Sequence, residues 1–117
     1  MSRVSIYHNP RCSKSRQALA LLEQQGDELE VIQYIDTPPD SATLSALLQQ
    51  LGLSARELMR KGENVYKELQ LDDPDLSEAE LVQAMVDYPR LIERPIVIRD
   101  GKAIIARPPE RVLELYA

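Results

Sequence analysis

A polar loop between an apolar run and a helical pattern is the strongest constraint on how this chain folds. The apolar run, residues 3–8, is rich in strand-forming side chains, and Asn9-Pro10 ends it. Apolar residues then recur at helical spacing in Ser15–Gln25. We call the segment between them, His8–Arg16, the cysteine loop, because it holds the only cysteine in the sequence. The pattern predicts a strand, a turn at Cys12, and then a helix.

A second strand completes the first structural unit of the sequence. Gly26 is typical of a residue just past a helix C-terminus. The segment Leu29–Ile35 has the composition of a strand, and Pro38-Pro39 closes it. A strand, a helix and a strand over this length predict a βαβ unit with a right-handed crossover.

The middle of the chain is predicted to be helical. Leucines recur on one face of its first segment, and two capping boxes open later segments. The predicted segments are Ser41–Leu51, a short helix from Ser54 to near Lys61-Gly62, a turn over Asn64–Leu69, and a helix from Ser77 to just before Pro89.

The tail returns to a strand pattern and then to a helix. Two apolar runs, Ile96–Ile98 and Ala103–Ile105, flank Asp100-Gly101, which is a strong hairpin signal. Pro108-Pro109 then starts a predicted last helix that carries Val112, Leu113 and Tyr116, with Pro109 suited to its first turn.

The order βαβ, helices, ββα is typical of a thioredoxin-like α/β fold. We expect a mixed sheet of about four strands, with a helical insert over about residues 41–88 between the βαβ and ββα halves. With 117 residues, of which 44% are hydrophobic, residues 1–117 are expected to form a single domain with one core.

Charge and composition narrow the class of protein. The net charge of −5 argues against nucleic-acid binding. No apolar run reaches the roughly 18 residues that a membrane span needs, and no signal peptide is recognised. A lone cysteine fits a reducing compartment, so we expect a cytoplasmic protein. Residues 1–16 contain several basic residues and no acidic one, which indicates a pocket for a small anion.

The setting of Cys12 favours a chemical role. A lone cysteine is most often a small core residue, but Cys12 lies between Pro10-Arg11 and Ser13–Arg16, which are polar and cationic. Helix N-termini and nearby cations lower the pKa of a thiol, and the thiolate is the nucleophile. The hypothesis is a nucleophilic Cys12 that attacks a small tetrahedral oxyanion.

Other cysteine chemistries fail on spacing. A phosphatase loop needs an arginine six positions after the cysteine, where this chain has Ala18. A dithiol centre needs a second cysteine where Ser15 stands, and a papain-like triad needs a distant histidine, whereas His8 is the only one. No set of metal ligands is recognised. A one-thiol centre remains, and it must take its second thiol from another molecule.

The cysteine loop resembles the active-site loop of the arsenate reductase family that is coupled to glutaredoxin and glutathione. The similarity extends over the whole chain. The other matching segments are Tyr34–Pro39, Leu58–Lys61, Glu93–Val97 and Ala106–Pro108. The resemblance implies a thioredoxin-like fold.

The resemblance also implies catalytic roles. Cys12 would attack arsenic, while Arg60, Arg94 and Arg107 would bind the oxyanion and stabilise the charge of the intermediate. Planar guanidinium groups match tetrahedral oxyanions in a bidentate manner. Taken alone, each of these arginines is more typical of a protein surface than of a binding site, and only the shared resemblance assigns it a role.

Three further residues would support the thiolate. His8 and Ser15 would act by charge and hydrogen bonding, and Arg16 would add positive potential. The alternatives are a purely structural hydrogen bond for His8 and a helix-capping role for Ser15. By analogy with thioredoxin-like folds, we also predict a cis peptide bond at Arg94-Pro95.

The activity implied is reduction of arsenate to arsenite through a cysteinyl adduct. Glutathione and glutaredoxin would be the thiol donors, with no bound cofactor and no metal, and the protein would act as a monomer. Two alternatives stay open: an Spx-like regulator that binds RNA polymerase, and a glutathione-dependent thiol transferase that does not act on arsenic. Ser13-Lys14 also stands where better-known members of the family have Gly-Thr.

Overall fold

The computed structural model describes residues 3–116, which divide into two compact units. Among the described residues, the first unit contains residues 3–37 and 94–116, and the second is Pro38–Glu93. The expectation of a single domain over residues 1–117 stays a prediction.

The first unit is built on a four-stranded mixed sheet, as the sequence predicted. Its strands are β1 (Arg3–Tyr7), β2 (Glu28–Ile32), β3 (Ile96–Arg99) and β4 (Lys102–Ile105). They lie in the order β2-β1-β3-β4. Strand β1 pairs in parallel with β2 and antiparallel with β3, and β3 pairs antiparallel with β4. The chain therefore runs as a βαβ unit and a later ββ hairpin in one sheet.

Helix α1 (Ser13–Glu23) and the last helix (Pro109–Tyr116) pack on the sheet to form the core of the first unit. The core cluster comprises Val4, Ile6, Ala18, Leu22, Val97, Ala106 and Val112, all fully or almost fully buried. Gly26 follows α1 with a φ of 82°, a conformation that glycine adopts at little cost. This confirms the prediction that the helix ends just before Gly26.

Strand β2 is shorter than its apolar pattern suggested. The sequence predicted a strand to Ile35, but β2 ends at Ile32. Beyond it the chain turns, because the backbone N–H groups of Asp36 and Thr37 both donate to the carbonyl of Gln33, at 3.1 and 2.9 Å. The turn takes Tyr34 into the protein interior, where it is fully buried.

The hairpin between β3 and β4 turns at the predicted residues. Asp100 and Gly101 have φ values of 53° and 80°, as a two-residue type I′ turn requires. The last helix differs from the prediction, since Pro109–Tyr116 is 3₁₀-helical. In a 3₁₀ helix, residues three apart eclipse one another, and Pro109 and Val112 are accordingly the two buried positions.

The second unit is helical, as expected of the insert. It contains α2 (Ser41–Leu51), α3 (Ala55–Leu58), α4 (Asn64–Glu68), α5 (Glu78–Asp87) and a 3₁₀ turn (Pro89–Leu91). Both predicted capping boxes form, Ser54 with Glu57 and Ser77 with Glu80. Among residues 3–116, no helix is both long and apolar enough to cross a bilayer.

Helix α3 ends earlier than its sequence suggested. The prediction extended it to near Lys61-Gly62, but it stops at Leu58, and Met59 is extended. Met59 forms a β-bridge with Ile92, and the N–H of Arg60 donates to the carbonyl of Leu91 at 2.7 Å. Pairing with a segment more than thirty residues away along the chain therefore outcompetes helix extension.

Candidate active site around Cys12

Cys12 occupies the N-cap position of α1. Its backbone is extended, with φ −96° and ψ 120°, as is usual for an N-cap residue. Its N–H donates to the carbonyl of Asn9 at 3.0 Å, and its carbonyl accepts from the N–H of Arg16 at 3.0 Å. The sulfur therefore lies where a capping oxygen normally sits, facing the free N–H groups of the first helical turn.

Several donors reach the Cys12 sulfur and lower its pKa. Partial burial raises the pKa, and this is the largest single effect. Hydrogen bonds from the backbone N–H of Ser15, from the Arg94 guanidinium and from the backbone N–H of Lys14 act in the opposite direction, and the charge of Arg94 adds to them. Together they outweigh burial, so the pKa of Cys12 lies below its ordinary value and the thiolate is favoured.

His8 and Ser15 form a buried pair beneath the loop. His8 Nδ1 lies 2.6 Å from Ser15 Oγ, which also accepts from the backbone N–H of Asn9 at 3.1 Å. Burial and the charge of Arg16 lower the pKa of His8, which favours the uncharged ring. The ring would then act through its hydrogen bond rather than through charge.

Ser15 does not cap α1. It lies within the helix, it is fully buried, and its hydroxyl contacts His8 and Asn9 instead of the free N–H groups of the first turn. Arg16 is exposed and donates from Nη1 to the carbonyl of Pro10 at 2.8 Å, which braces the loop. Its predicted contribution to the potential at the site stays a prediction.

Arg94 is the arginine that contacts the sulfur. Burial lowers the pKa of its guanidinium, but interactions with Cys12 and Tyr34 outweigh this and raise the pKa. The peptide bond Arg94-Pro95 is cis, as predicted, and Arg107-Pro108 is a second cis bond that the sequence analysis did not foresee. Arg94 thus brings a permanent positive charge to the nucleophile.

Arg107 lies beside Arg94 in the first unit. Its Nη1 donates to the backbone carbonyl of Arg94 at 3.2 Å, and its side chain is exposed. The structure therefore joins Cys12, Arg94 and Arg107 in one continuous chain of contacts.

Arg60 belongs to the second unit. Its Nη1 pairs with Glu93 at 2.7 Å and its Nε lies 3.6 Å from Glu63. These ion pairs orient the guanidinium within that unit. The role of Arg60 at an oxyanion site stays a prediction.

Sequence analysis did not assign a role to Tyr34, which is fully buried and contributes to raising the pKa of Arg94. The ring of Tyr34 meets that of Tyr7 edge to face, with centroids 6.4 Å apart and an interplanar angle of 65°. One signal was available: both tyrosines come at or just after the carboxyl ends of two parallel strands, which meet at one edge of a sheet.

Comparison with known proteins assigns the family. Residues 7–115 match the family model described as ArsC family. This chain belongs to the ArsC family. Escherichia coli YfgD, described as an uncharacterized protein, is 62% identical to this ArsC-family chain over 114 residues, which are 97% of this chain and 96% of YfgD. A protein of Neisseria meningitidis named arsenate reductase is 51% identical over 113 residues, 96% of this chain and 97% of the relative.

A solved structure supports the same assignment. The arsenate reductase of Vibrio cholerae is 54% identical and superposes with a TM-score of 0.94, covering 97% of this chain and 98% of the other. Similarity at that level means a shared fold. The thioredoxin-like α/β fold with a helical insert, expected for this ArsC-family chain from its sequence, is confirmed.

Proposed function

We propose that this ArsC-family chain reduces arsenate to arsenite with Cys12 as the nucleophile. The observation that carries the proposal is the position of Cys12 at the N-cap of α1, where the N–H groups of Lys14 and Ser15 and the charge of Arg94 lower the pKa of its thiol. A stabilised thiolate beside a guanidinium suits attack on a small oxyanion. The relatives from Neisseria meningitidis and Vibrio cholerae that are named arsenate reductases give the substrate class.

The proposed first step forms a sulfur–arsenic bond. The Cys12 thiolate attacks arsenic(V), and one arsenate oxygen leaves as water after protonation. The product is a cysteinyl arsenate in which arsenic is not yet reduced. Arg94 donates to the oxyanion as charge shifts onto its oxygens.

The reduction itself needs thiols from other molecules. Glutathione displaces a second oxygen from the adduct as water, giving an arsenic(V) bonded to two sulfurs. The glutaredoxin thiolate then attacks the glutathione sulfur, and a glutathione–glutaredoxin disulfide forms. The electron pair of the broken sulfur–arsenic bond stays on arsenic, which becomes arsenic(III), and hydrolysis releases arsenite and regenerates Cys12. No metal or bound cofactor enters this scheme. The protein would act as a monomer, and the reducing cytoplasm would supply the thiols.

In this proposal, all three arginines would bind the oxyanion. Arg94 acts at the sulfur. Arg107 donates to the Arg94 carbonyl, and its exposed side chain is open to a ligand from solvent. Arg60 would complete the set. Permanently charged, planar donors bind a tetrahedral oxyanion in a way that lysine does not reproduce.

Arsenite production in the presence of glutathione and glutaredoxin tests the proposal. Activity should be abolished by Cys12→Ser, and Arg94→Ala should reduce kcat about a hundredfold, as loss of an oxyanion donor does elsewhere. Arg111→Ala is the matched control, since Arg111 pairs with Glu114 at 3.2 Å. Its kcat should stay near that of the wild type.

Two results would overturn the proposal. Exchange of glutathione mixed disulfides without arsenite production would favour a thiol transferase. Inertness towards arsenate together with retention of purified RNA polymerase on a column of the immobilised protein would favour an Spx-like regulator.

A further inference from the structure

We propose that Glu93 is a specificity-determining residue, whose carboxylate partly neutralises Arg60 and weakens the binding of doubly charged anions more than that of singly charged ones. The inference rests on the proposed function, in which Arg60 is one of the arginines that bind the oxyanion. It concerns a carboxylate that has no role in the proposed reaction scheme.

The Glu93 carboxylate is bonded directly to the Arg60 guanidinium. Arg60 Nη1 donates to Glu93 Oε1 at 2.7 Å, and only 22% and 29% of the two side chains are exposed. A charge-assisted hydrogen bond of this length is among the stronger contacts in a protein. One Arg60 donor is therefore already used by an anion of the protein itself.

A second carboxylate lies beside the same guanidinium. Glu63 Oε2 is 3.6 Å from Arg60 Nε, which is close enough for attraction between charges but too far for a hydrogen bond. Within residues 3–116 the buried Nε makes no hydrogen bond, so it can still donate to another acceptor. An anion that binds Arg60 would thus meet one cation and two carboxylates.

The backbone holds Glu93 beside Arg60 independently of the carboxylate. The N–H of Arg60 donates to the carbonyl of Leu91 at 2.7 Å, and the N–H of Glu93 donates to the carbonyl of Leu58 at 3.1 Å. A glutamine at position 93 should keep its place, and its amide oxygen can still accept from Nη1. The variant Glu93→Gln therefore removes the charge and keeps the contact.

Loss of this charge should strengthen anion binding. Like charges in a partly buried site are screened less than charges in open solvent, so the carboxylate repels an anion bound at Arg60. The repulsion energy is proportional to the charge of that anion. A site that contains Glu93 consequently discriminates between anions of the same shape by their charge.

Protection of Cys12 against iodoacetamide by inorganic sulfate measures this effect. Sulfate is a tetrahedral dianion that forms no bond to a thiol, so the concentration giving half protection reports binding alone. In Glu93→Gln that concentration should fall about fivefold. For perchlorate, a tetrahedral monoanion, it should fall only about twofold, because halving the charge halves the repulsion energy. If Glu93 only orders the guanidinium, protection should instead stay the same or weaken, and the proposal is wrong.

Glu114→Gln is the matched control. Glu114 also pairs with an arginine, since its Oε2 lies 3.2 Å from Arg111 Nε, so this variant loses the same charge from another ion pair. It should leave the half-protection concentrations of both anions unchanged. A shift equal to that of Glu93→Gln would show that the net charge of the chain causes the effect, which contradicts the proposal.

Arg60→Ala separates this inference from the proposed function. Loss of the guanidinium should raise the half-protection concentration of sulfate about tenfold. An unchanged value, or no protection of the wild type by sulfate, would overturn the inference, because Glu93 would then act on no oxyanion site. Arsenate reduction through Cys12 and Arg94 would not be refuted by either result. Conversely, sulfate protection requires no turnover, so a chain that produces no arsenite would refute the proposed function and leave this test intact.

Discussion

The thiolate of Cys12 is stabilised by groups from two separate stretches of sequence. The N–H groups of Lys14 and Ser15 belong to its own helix, and Arg94 comes from the segment before β3. The first contribution follows from local sequence, because a cysteine at a strand-to-helix turn faces free N–H groups. The second was assigned only through a family resemblance, since nothing near Arg94 in the sequence indicates Cys12.

Removing Arg94 should make Cys12 less acidic. The sulfur reacts as the thiolate, so its alkylation rate rises as the pH passes through its pKa, and that pKa is lowered in the wild type. In Arg94→Ala the midpoint should move upward by about one pH unit, as expected for loss of a contacting cation. The measurement is the iodoacetamide rate across a pH series. An unchanged midpoint would mean that the backbone N–H groups alone set the pKa.

Ser15 should matter for stability far more than the neighbouring Ser13. Ser15→Ala leaves the buried His8 ring and the N–H of Asn9 without the hydroxyl that they contact. We expect the free energy of unfolding in urea to fall by about 1–3 kcal/mol. Ser13 is exposed, and Ser13→Ala should change the unfolding free energy by no more than about 0.5 kcal/mol. Equal effects of the two substitutions would contradict this account.

At the scale of elements, local signals predicted helix starts better than helix and strand ends. Both capping boxes begin helices where the sequence placed them, since a side chain three residues away satisfies the first N–H groups. The predicted C-terminal ends of β2 and α3 were wrong. In α3 the decisive partner, the Leu91–Glu93 segment, is distant in sequence, and no window around Leu58 reveals it.

The β3–β4 hairpin gives a prediction at this scale. Gly101 has a φ of 80°, whereas Gly62 has no positive φ, and nothing lies within 4 Å of a Cβ added at either position. Gly101→Ala should lower the free energy of unfolding by about 1 kcal/mol, because a side chain disfavours the left-handed conformation. Gly62→Ala is the control and should be neutral or stabilising by up to about 1 kcal/mol. Urea titration of both variants distinguishes backbone strain from a general intolerance of alanine.

At the scale of the whole molecule, one ionic cluster joins distant parts of the first unit. Asp27 accepts from Arg99 Nε at 2.7 Å and from the Tyr116 hydroxyl at 2.8 Å. Arg99 also stacks on the Tyr116 ring, with its guanidinium carbon 4.1 Å from the centroid. Burial and the Asp27 carboxylate raise the pKa of Tyr116 to about 12. The cluster thereby ties the last helix to β3 and to the loop before β2.

This cluster should make stability depend on acid. Hydrogen bonds from Arg99 and Tyr116 lower the pKa of Asp27 in the folded chain. The stabilisation is therefore present above the ordinary aspartate pKa and is lost as the pH falls through the lower, folded-state pKa. The Tm of Asp27→Asn should lie below that of the wild type at neutral pH, and the gap should narrow at about pH 3. A gap that stays constant would mean that the carboxylate charge contributes nothing.

Local sequence patterns were enough to predict the sheet-and-helix order, the capped helix starts, the hairpin turn and the position of Cys12 at a helix N-terminus. Each of these depends on residues within a few positions of one another, so short windows of sequence contain the cause. The folded structure was needed to show where β2 and α3 end, that the last helix is 3₁₀-helical, and that Arg94 lies against Cys12. Those outcomes depend on contacts between residues far apart along the chain, whose free energies compete with local preference and become apparent only once the chain has folded.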